Sequence, residues 1–400
     1  MKLSKVVRLQ PNTYQEQMFR QFAGTNRFAW NQSKAFYDKV WNDNKEYASV
    51  QDMIKHLQDL KHNSSDYAWL NTIPEAITKQ AIKDLQKAYK KAYKDRKTHK
   101  PDPKNSDKYF PKFKKKGKSK ESFFQRTDKI KKTDDTHVKI TGIKKPVKCI
   151  DLKGIDLPEQ ILNPRISFDG KYWYLSYSYE VEENDIIDFN RDKLGIDLGI
   201  KDLAILSDGQ HFGNINKTPE VKRLRKRLKH LQRKISKKYE ANVTYDNKGN
   251  KVFHKTNNIK KLEKQRKLIY RRISNIQTTY MYEVAKSVMK TKPQTIILED
   301  LNIKGMMQNP KLAKAVQEQN LYKFRQIIAY KGKKNGIRVL LADRWYPSSK
   351  MCSCCGNVKT DLKLSDRTYH CDICGFTMDR DENAAINIEN CNKFKKIKVA

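Results

Sequence analysis

The feature that most limits what this chain can become is a pair of Cys-x-x-Cys-Gly runs near the C-terminus. They read Cys352-Ser353-Cys354-Cys355-Gly356 and Cys371-Asp372-Ile373-Cys374-Gly375, and Cys355 and Cys371 enclose fifteen residues. Two such pairs at that separation match a zinc ribbon. Each pair closes a tight turn, and the trailing glycine lets the backbone approach the sulfurs. Cys352, Cys355, Cys371 and Cys374 are therefore the expected zinc ligands. Cys354 falls outside the set, because the 352/355 pair repeats the gap and trailing glycine of 371/374. His370 could substitute as a ligand, but four well-spaced thiolates make it a bystander. Four thiolates leave no open coordination position, so the ion is structural rather than catalytic. Five of the seven cysteines lie in this segment, Cys149 and Cys391 being the others. An odd, clustered set argues for metal and against disulfides.

Charge sets the second limit. The 400 residues hold 84 lysines and arginines against 45 acids, a formal net charge of +39. Such a chain repels itself unless a polyanion offsets it, and nucleic acid is the expected partner. A membrane surface is the other polyanion. No apolar run approaches transmembrane length, however, and the N-terminus "MKLSKVVRLQPNTYQ" lacks the apolar centre of a signal peptide. A cytoplasmic location follows as an expectation, without a membrane partner.

Periodicity divides the chain. From about Gln10 to Ala92, apolar and aromatic residues recur at three- and four-residue spacing, which predicts helices with basic outer faces. Residues 93–120 change to Pro, Gly and Lys with Tyr109, Phe110 and Phe113 interleaved, a composition suited to a nucleic-acid backbone with bases to stack. From Ser122 to Glu180 short alternating runs predict a small β-barrel or sandwich, with Asp169-Gly170 marking a hairpin. "NDIIDFNRDK" reads as a linker. "KLGIDLGIKDLAILSDGQ" predicts two strands in a hairpin. Val221, Leu224, Leu228, Leu231 and Ile235, then Leu262, Ile269, Ile273, Ile276, Tyr280 and Val284, predict an antiparallel helical hairpin interrupted by the looser "YDNKGNKVFHKTN". Its cations could pack outward or line a phosphate backbone. "PQTIILED" and "IRVLLAD" predict buried strands, with a helix over "NLYKFRQIIAYKGKKNG" between them.

Three acids stand out against this pattern. Asp197 sits in the apolar strand "LGIDLGI", where a charge is costly unless it is paired or binds a cation. Glu299 ends the strand "TIILED". Asp381 begins the helix "ENAAINI". Singly each has a bland reading: a turn acid, a solvated strand-end acid and an N-cap. Together they form the pattern of an RNase H-like site, in which three carboxylates hold two divalent cations. Mg²⁺ prefers such hard oxygen ligands. Within "DRDENAA", Asp379 is expected to support the loop leaving the cysteine module, and Glu382 to sit in the first helical turn, where an acid suits the helix dipole.

The runs "GIDLGIKDLAIL", "IILEDLNIKGM", "DRWYPSSKMCSCCG", "YHCDICGFTMDRDENAAINI" and "PKFKKKGKSKESF" resemble the motifs of the TnpB family. These are transposon-encoded proteins of bacterial insertion sequences, related to the compact type V CRISPR nucleases. The resemblance covers nearly the whole chain, with the cysteine module placed between the second and third acids. It implies a multidomain α/β protein: a β-barrel wedge domain (1–10 and 93–190), a helical recognition domain (11–92), an RNase H-like (RuvC) nuclease domain (191–343 and 376–400) and an inserted zinc ribbon (344–375). It also implies an RNA-guided DNA endonuclease that takes a guide RNA and target double-stranded DNA as partners and reads a short motif beside the target. Asp197, Glu299 and Asp381 take the catalytic roles with two Mg²⁺ ions. Cys352, Cys355, Cys371 and Cys374 take one Zn²⁺. A monomer in a prokaryotic cytoplasm, associated with the nucleoid, is expected. Arg344, Trp345 and Ser348–Lys350 lead into the ribbon and are expected to help seat the substrate strand. The competing readings are a transposase that cleaves and joins ends, a guided repressor that does not cut, and a general RNA-binding protein with a zinc ribbon.

Overall fold

The first residues alternate, with Leu3, Val7 and Leu9 buried and Val6 exposed, and form strand β1 (Lys2–Leu9). The computed structural model describes residues 2–98, 109–181, 188–363 and 366–397, in two compact units that divide between Val181 and Glu182. In the first unit β1 leads to helices α1 (Thr13–Asn44), α2 (Val50–Asn63) and α3 (Glu75–Thr98). Asn12 and Gln15 form a capping box at the start of α1, and Ser49 and Asp52 form another at α2, satisfying backbone donors that a helix start leaves open.

Strands β2 (Ser122–Phe124), β3 (Lys131–Asp134), β4 (His137–Lys139), β5 (Val147–Lys148), β6 (Leu162–Phe168) and β7 (Trp173–Glu180) follow. They make a four-stranded sheet in the order β1-β7-β6-β2 and a three-stranded sheet β3-β4-β5, bridged at Gln10 and Lys148. β1 pairs with β7 along its whole length, from Lys2 opposite Glu180 to Leu9 opposite Trp173. The β6–β7 turn falls at the predicted Asp169-Gly170, where Asp169 Oδ1 accepts from the Lys171 and Tyr172 amides. Both sheets share a core with the start of α1, where Phe19 meets Trp173 edge-on at 5.2 Å.

Within residues 93–120, positions 99–108 lie outside the described residues, as do positions 182–187 of the linker region. In the described part of 93–120, the aromatics and Lys114 are engaged by the protein itself, while Lys112, Lys115, Lys116, Lys118 and Lys120 are exposed. Phe110 packs on Tyr93 at 5.3 Å. Lys114 Nζ lies 3.6 Å over the Trp30 ring, and burial pulls its pKa down to about 8. Asn31 holds the Lys114 backbone through both its amide and carbonyl. Phe113 stays about half exposed, beneath Lys34.

The second unit contains β8 (Arg191–Asp197), β9 (Asp202–Leu206), β10 (His211–Gly213), α4 (Pro219–Glu240), β11 (Val243–Tyr245), β12 (Lys251–Phe253) and α5 (Asn257–Lys290). It continues with β13 (Pro293–Leu298), α6 (Ile303–Gln308), α7 (Pro310–Gln319), α8 (Leu321–Lys334), β14 (Arg338–Ala342), β15 (Thr368–His370), β16 (Thr377–Asp379), α9 (Arg380–Glu389) and β17 (Phe394–Lys396). The looser stretch between the two basic helices is thus a β-hairpin. Gly249 takes φ 75° in its turn, and Val243 pairs with Phe253.

The main sheet has the order β10-β9-β8-β13-β14-β17. β8, β13 and β14 are parallel, while β8–β9, β9–β10 and β14–β17 are antiparallel. The parallel strands are apolar runs because helices cover both faces. Leu194, Ile196, Ile296 and Leu298 meet α5 and α8 through Val284, Val288 and Phe324. Ile297 and Ala342 meet α9 through Ile388 on the other side. Among the described residues no helix is long and apolar enough to cross a membrane.

Candidate functional site

Parallel strands end on the same side of a sheet, and ligands of such sheets gather beyond their carboxyl ends. Asp197 is the last residue of β8. Glu299 is the first beyond β13, and its amide donates to the Ile196 carbonyl at 3.2 Å. The two acids therefore stand side by side. Asp381 arrives from α9. The helix starts at Arg380, and its N-cap is Asp379, which accepts from the Asp381 and Glu382 amides at 2.9 and 3.2 Å. This corrects the sequence reading on both counts: Asp381 is not the cap but lies one residue inside the first turn, and Asp379 is the capping side chain. An Asp two residues ahead of an acid-rich start carried that signal.

All three carboxylates are partly buried, and two of them, Asp197 and Glu299, are shifted. Burial raises the Asp197 pKa most, and the charges of Glu299 and Asp381 raise it further, with Arg380 offsetting part of the effect. Burial pushes Glu299 up to about 7, aided by the charges of Asp381 and Asp300 and opposed by hydrogen bonds from Asp197 and Leu198. Without a cation the pair retains a proton near neutral pH. Hard oxygen donors with excess negative charge fit a divalent cation. Arg380 Nε and Nη2 both donate to Asp381 Oδ1, at 3.2 and 3.0 Å.

What brings α9 close enough is Gly195. A Cβ there would meet the Ala385 carbonyl at 2.1 Å and the Glu389 amide at 2.5 Å. The helix backbone rests directly on the strand two residues before Asp197. A glycine inside an apolar strand was the available signal for such an approach. Asp300 is the second residue that sequence reading passed over. It is buried beside Glu299 and receives Arg325 (3.2 Å), Arg344 (2.9 Å) and Lys395 (2.5 Å). Burial alone would raise its pKa. The Lys395 hydrogen bond and the Lys395 and Arg344 charges outweigh that and hold it below the ordinary carboxylate range. Arg344 is thus tied to Asp300, Trp345 is 86% exposed, and the Ser348 carbonyl accepts from Asn387.

The four predicted thiolates converge, their sulfurs all within 4.8 Å of one another. Cys352–Cys374 and Cys355–Cys371 stand 3.7 and 3.5 Å apart. Four sulfurs at zinc-thiolate distance in a tetrahedron would lie about 3.8 Å apart, so the set fits zinc. The two turns are built alike. Gly356 and Gly375 adopt φ 77° and 70°, and their amides donate to the Cys352 and Cys371 carbonyls. The amides of Cys374 and Ile373 help pull the Cys371 thiol down to about 6, favouring the thiolate a metal needs. Cys354 is exposed outside the cluster, and His370 Nδ1 pairs with Thr377 Oγ1 at 2.8 Å.

The cysteine module is pinned to α9 by two buried asparagines. Asn383 Nδ2 donates to the Met351 carbonyl and its Oδ1 accepts from the Ser353 amide. Asn387 Nδ2 donates to the Ser348 and Met351 carbonyls. The turn carrying Cys352 is therefore tied directly to the acid-bearing helix.

Comparison with known proteins follows this arrangement along the chain. Residues 1–46 match a family described as "Helix-turn-helix domain", 176–310 match "Probable transposase" and 322–388 match "Cas12f1-like, TNB domain". In the structure, 1–46 form β1 and one unbroken helix, Thr13–Asn44, rather than two helices around a turn. A "Putative RNA-guided DNA endonuclease InsQ" of Escherichia coli K12 is 26% identical over 95% of this chain and 90% of its own length. A "TnpB-like protein" of Acanthamoeba polyphaga mimivirus is 28% identical over 54% of this chain and 40% of its own length. These matches make the chain similar to the TnpB family. It also resembles a "CRISPR-associated endodeoxyribonuclease Cas12f1" of Sulfoacidibacillus thermotolerans, at 29% identity over 54% of its length, and spans about half of that relative. Its fold is that of a Cas12f1 seen by cryo-EM in a complex with sgRNA and target DNA, with a TM-score of 0.56 at 16% identity, over 96% of this chain and 84% of the other.

Proposed function

We propose that this chain is a TnpB-family RNA-guided DNA endonuclease, and that its cleavage centre is an RNase H-like, RuvC-type site. The observation that carries the proposal is the placement of three acids at one end of the sheet: Asp197 closes β8, Glu299 stands just beyond β13, and Asp381 lies in the first turn of α9, whose backbone rests on β8 at Gly195. The sheet order supports it, with antiparallel β10, β9 and β8 at one edge, parallel β8, β13 and β14 in the middle, and antiparallel β17 at the other edge. The names of the relatives, RNA-guided DNA endonucleases and Cas12f1, agree with it.

In this reading the three carboxylates hold two Mg²⁺ ions, which when bound would supply water activation and offset charge at the leaving 3′ oxygen. The chain's own groups arrange that centre. Asp379 fixes the helix start, Gly195 sets the distance between α9 and β8, and Arg380 orients the Asp381 carboxylate. Asp300 anchors the chain beside Glu299. Cys352, Cys355, Cys371 and Cys374 hold one structural Zn²⁺. A guide RNA supplies sequence recognition by pairing, while lysines and arginines hold phosphate backbones. We assign residues 1–10 and 93–190 to a β-barrel wedge, 11–92 to helical recognition, 191–343 and 376–400 to the nuclease and 344–375 to the zinc module.

The test is to sequence the RNA that co-purifies with the chain and challenge the complex with a randomised DNA library in Mg²⁺. Guide-dependent cuts beside one short motif are expected. Asp381→Ala should stop cutting while RNA binding persists. Binding of matched DNA without cutting by the unaltered complex would select the repressor reading, and strand-transfer products the transposase.

A further inference from the structure

The strongest charge anomaly lies outside the carboxylate site. Between Pro219 and Lys290 the chain holds 22 lysines and arginines against five acids. From Lys222 to Lys238, every lysine and arginine of α4 except Arg225 is exposed. Arg225 pairs with Glu318; none of the others makes an ion pair among the described residues. Lys222 and Lys226, Lys229 and Arg233, and Lys234 and Lys238 stand four apart, a spacing at which like charges oppose the helix.

The helix persists because its inner face is packed. Val221, Leu224, Leu228, Leu231 and Ile235 share a core with Ile269 and Ile273 of α5, separate from the core of the main sheet. The hairpin is therefore an arm with its own core, and α4 alone spans about 33 Å. At the arm's tip, β11 and β12 expose Tyr245 (66%) and Phe253 (54%). Packing uses neither the outer cations nor most of these rings. A rod of uncompensated cations ending in exposed aromatic rings has the composition of a surface for a nucleic-acid backbone with an unpaired base to stack.

We propose that the α4–α5 arm docks the guide RNA: the outer face of α4 takes backbone phosphates, and Tyr245 and Phe253 stack on an unpaired base. This deepens the guided-nuclease reading and rests on it. RNA is favoured over target duplex because loops and bulges offer unstacked bases, which an intact duplex does not.

The experiment uses the full chain and its co-purifying RNA, re-transcribed and labelled. One variant carries K226Q, R233Q and K237Q; another carries Y245S and F253S. All five side chains are exposed and lie outside the packed core. The triple variant should show a salt dependence of log affinity shallower by about 2, from three lost phosphate contacts, and at least tenfold weaker RNA binding near 0.15 M salt. Its thermal midpoint should hold or rise, since like charges have been removed, which separates lost binding from lost folding. The aromatic variant should bind more weakly with an unchanged salt slope. An unaltered chain that binds RNA, together with a triple variant of unchanged slope and affinity, overturns the arm alone. An unaltered chain that binds no RNA overturns the guided reading and the arm with it. Loss of single-stranded DNA binding with RNA binding intact overturns the assignment to RNA.

Discussion

Asp197→Asn separates charge from shape at the carboxylate cluster. Asn keeps the size of the side chain and a donor toward Glu299 but cannot ionise. In the metal-free fold, Asp197 and Glu299 both titrate above their ordinary values. The folded chain then binds more protons than the unfolded one, so stability is full below about pH 3.8, the ordinary value of Asp197, and declines as pH rises through about 7. The rise of Glu299 comes from its burial and from the charges of Asp381 and Asp300, and Asp197 opposes it, so the substitution leaves that rise in place. What the substitution removes is the buried charge of Asp197 itself, raised first by burial. The metal-free protein should thus be more stable at pH 8 by about 2 kcal/mol, the order of an uncompensated buried polar group, a rise in Tm of roughly 4–8 °C for a unit of this size. At pH 5 the gain should be smaller. The assay is thermal melting in chelator at pH 5 and pH 8, then with Mg²⁺. The unaltered protein should gain stability with Mg²⁺ at pH 8, and the variant should gain little. DNA cleavage by the variant should be lost, with RNA binding kept. A variant that melts no higher than the parent at pH 8 in chelator, or that still cuts, would refute the reasoning.

Other perturbations test neighbouring parts. Gly195→Ala drives a methyl into the α9 backbone and should cost about 3 kcal/mol; cutting should fall more than guide-RNA binding, and an unchanged melting curve would contradict the close approach. Cys371→Ser should lower bound zinc and loosen the C-terminal module; full zinc stoichiometry by mass spectrometry would contradict the four-thiolate site. Asp300→Ala leaves Arg325, Arg344 and Lys395 facing one another without their carboxylate and should destabilise by about 3 kcal/mol, read in urea melts. Asn387→Ala removes donors to Ser348 and Met351 and should reduce cleavage while zinc content stays constant; equal loss of both would mean the asparagine serves only the metal turn.

Several parts of the protein could be read without coordinates because their causes are local. The two Cys-x-x-Cys-Gly turns depend on residues a few positions apart, and glycine alone takes their positive φ without strain. The α4–α5 core follows from a three- and four-residue repeat, and the hairpin at Asp169-Gly170 from its own turn residues. The excess of positive charge is a property of composition. The acids were visible as candidates, since a charge in or beside an apolar run needs a reason.

What the sequence could not supply was proximity, and with it the choice among acids. Asp379, Asp381 and Glu382 look alike in a row. Only the fold makes the first a helix cap, brings the charge of the second to bear on Asp197 and Glu299, and pairs the third with His211 at 2.6 Å. The same holds for the acids of "LED". Glu299 and Asp300 are neighbours, yet one stands with the carboxylates and the other is surrounded by three cations from α8, the segment after β14, and β17. Nor does any local pattern say that Gly195 faces the backbone of Ala385 and Glu389, far along the chain. Spacing along the chain records turns, helices and charge. The energies that make a carboxylate reactive or merely structural come from burial and from charges that only tertiary packing brings within a few ångströms.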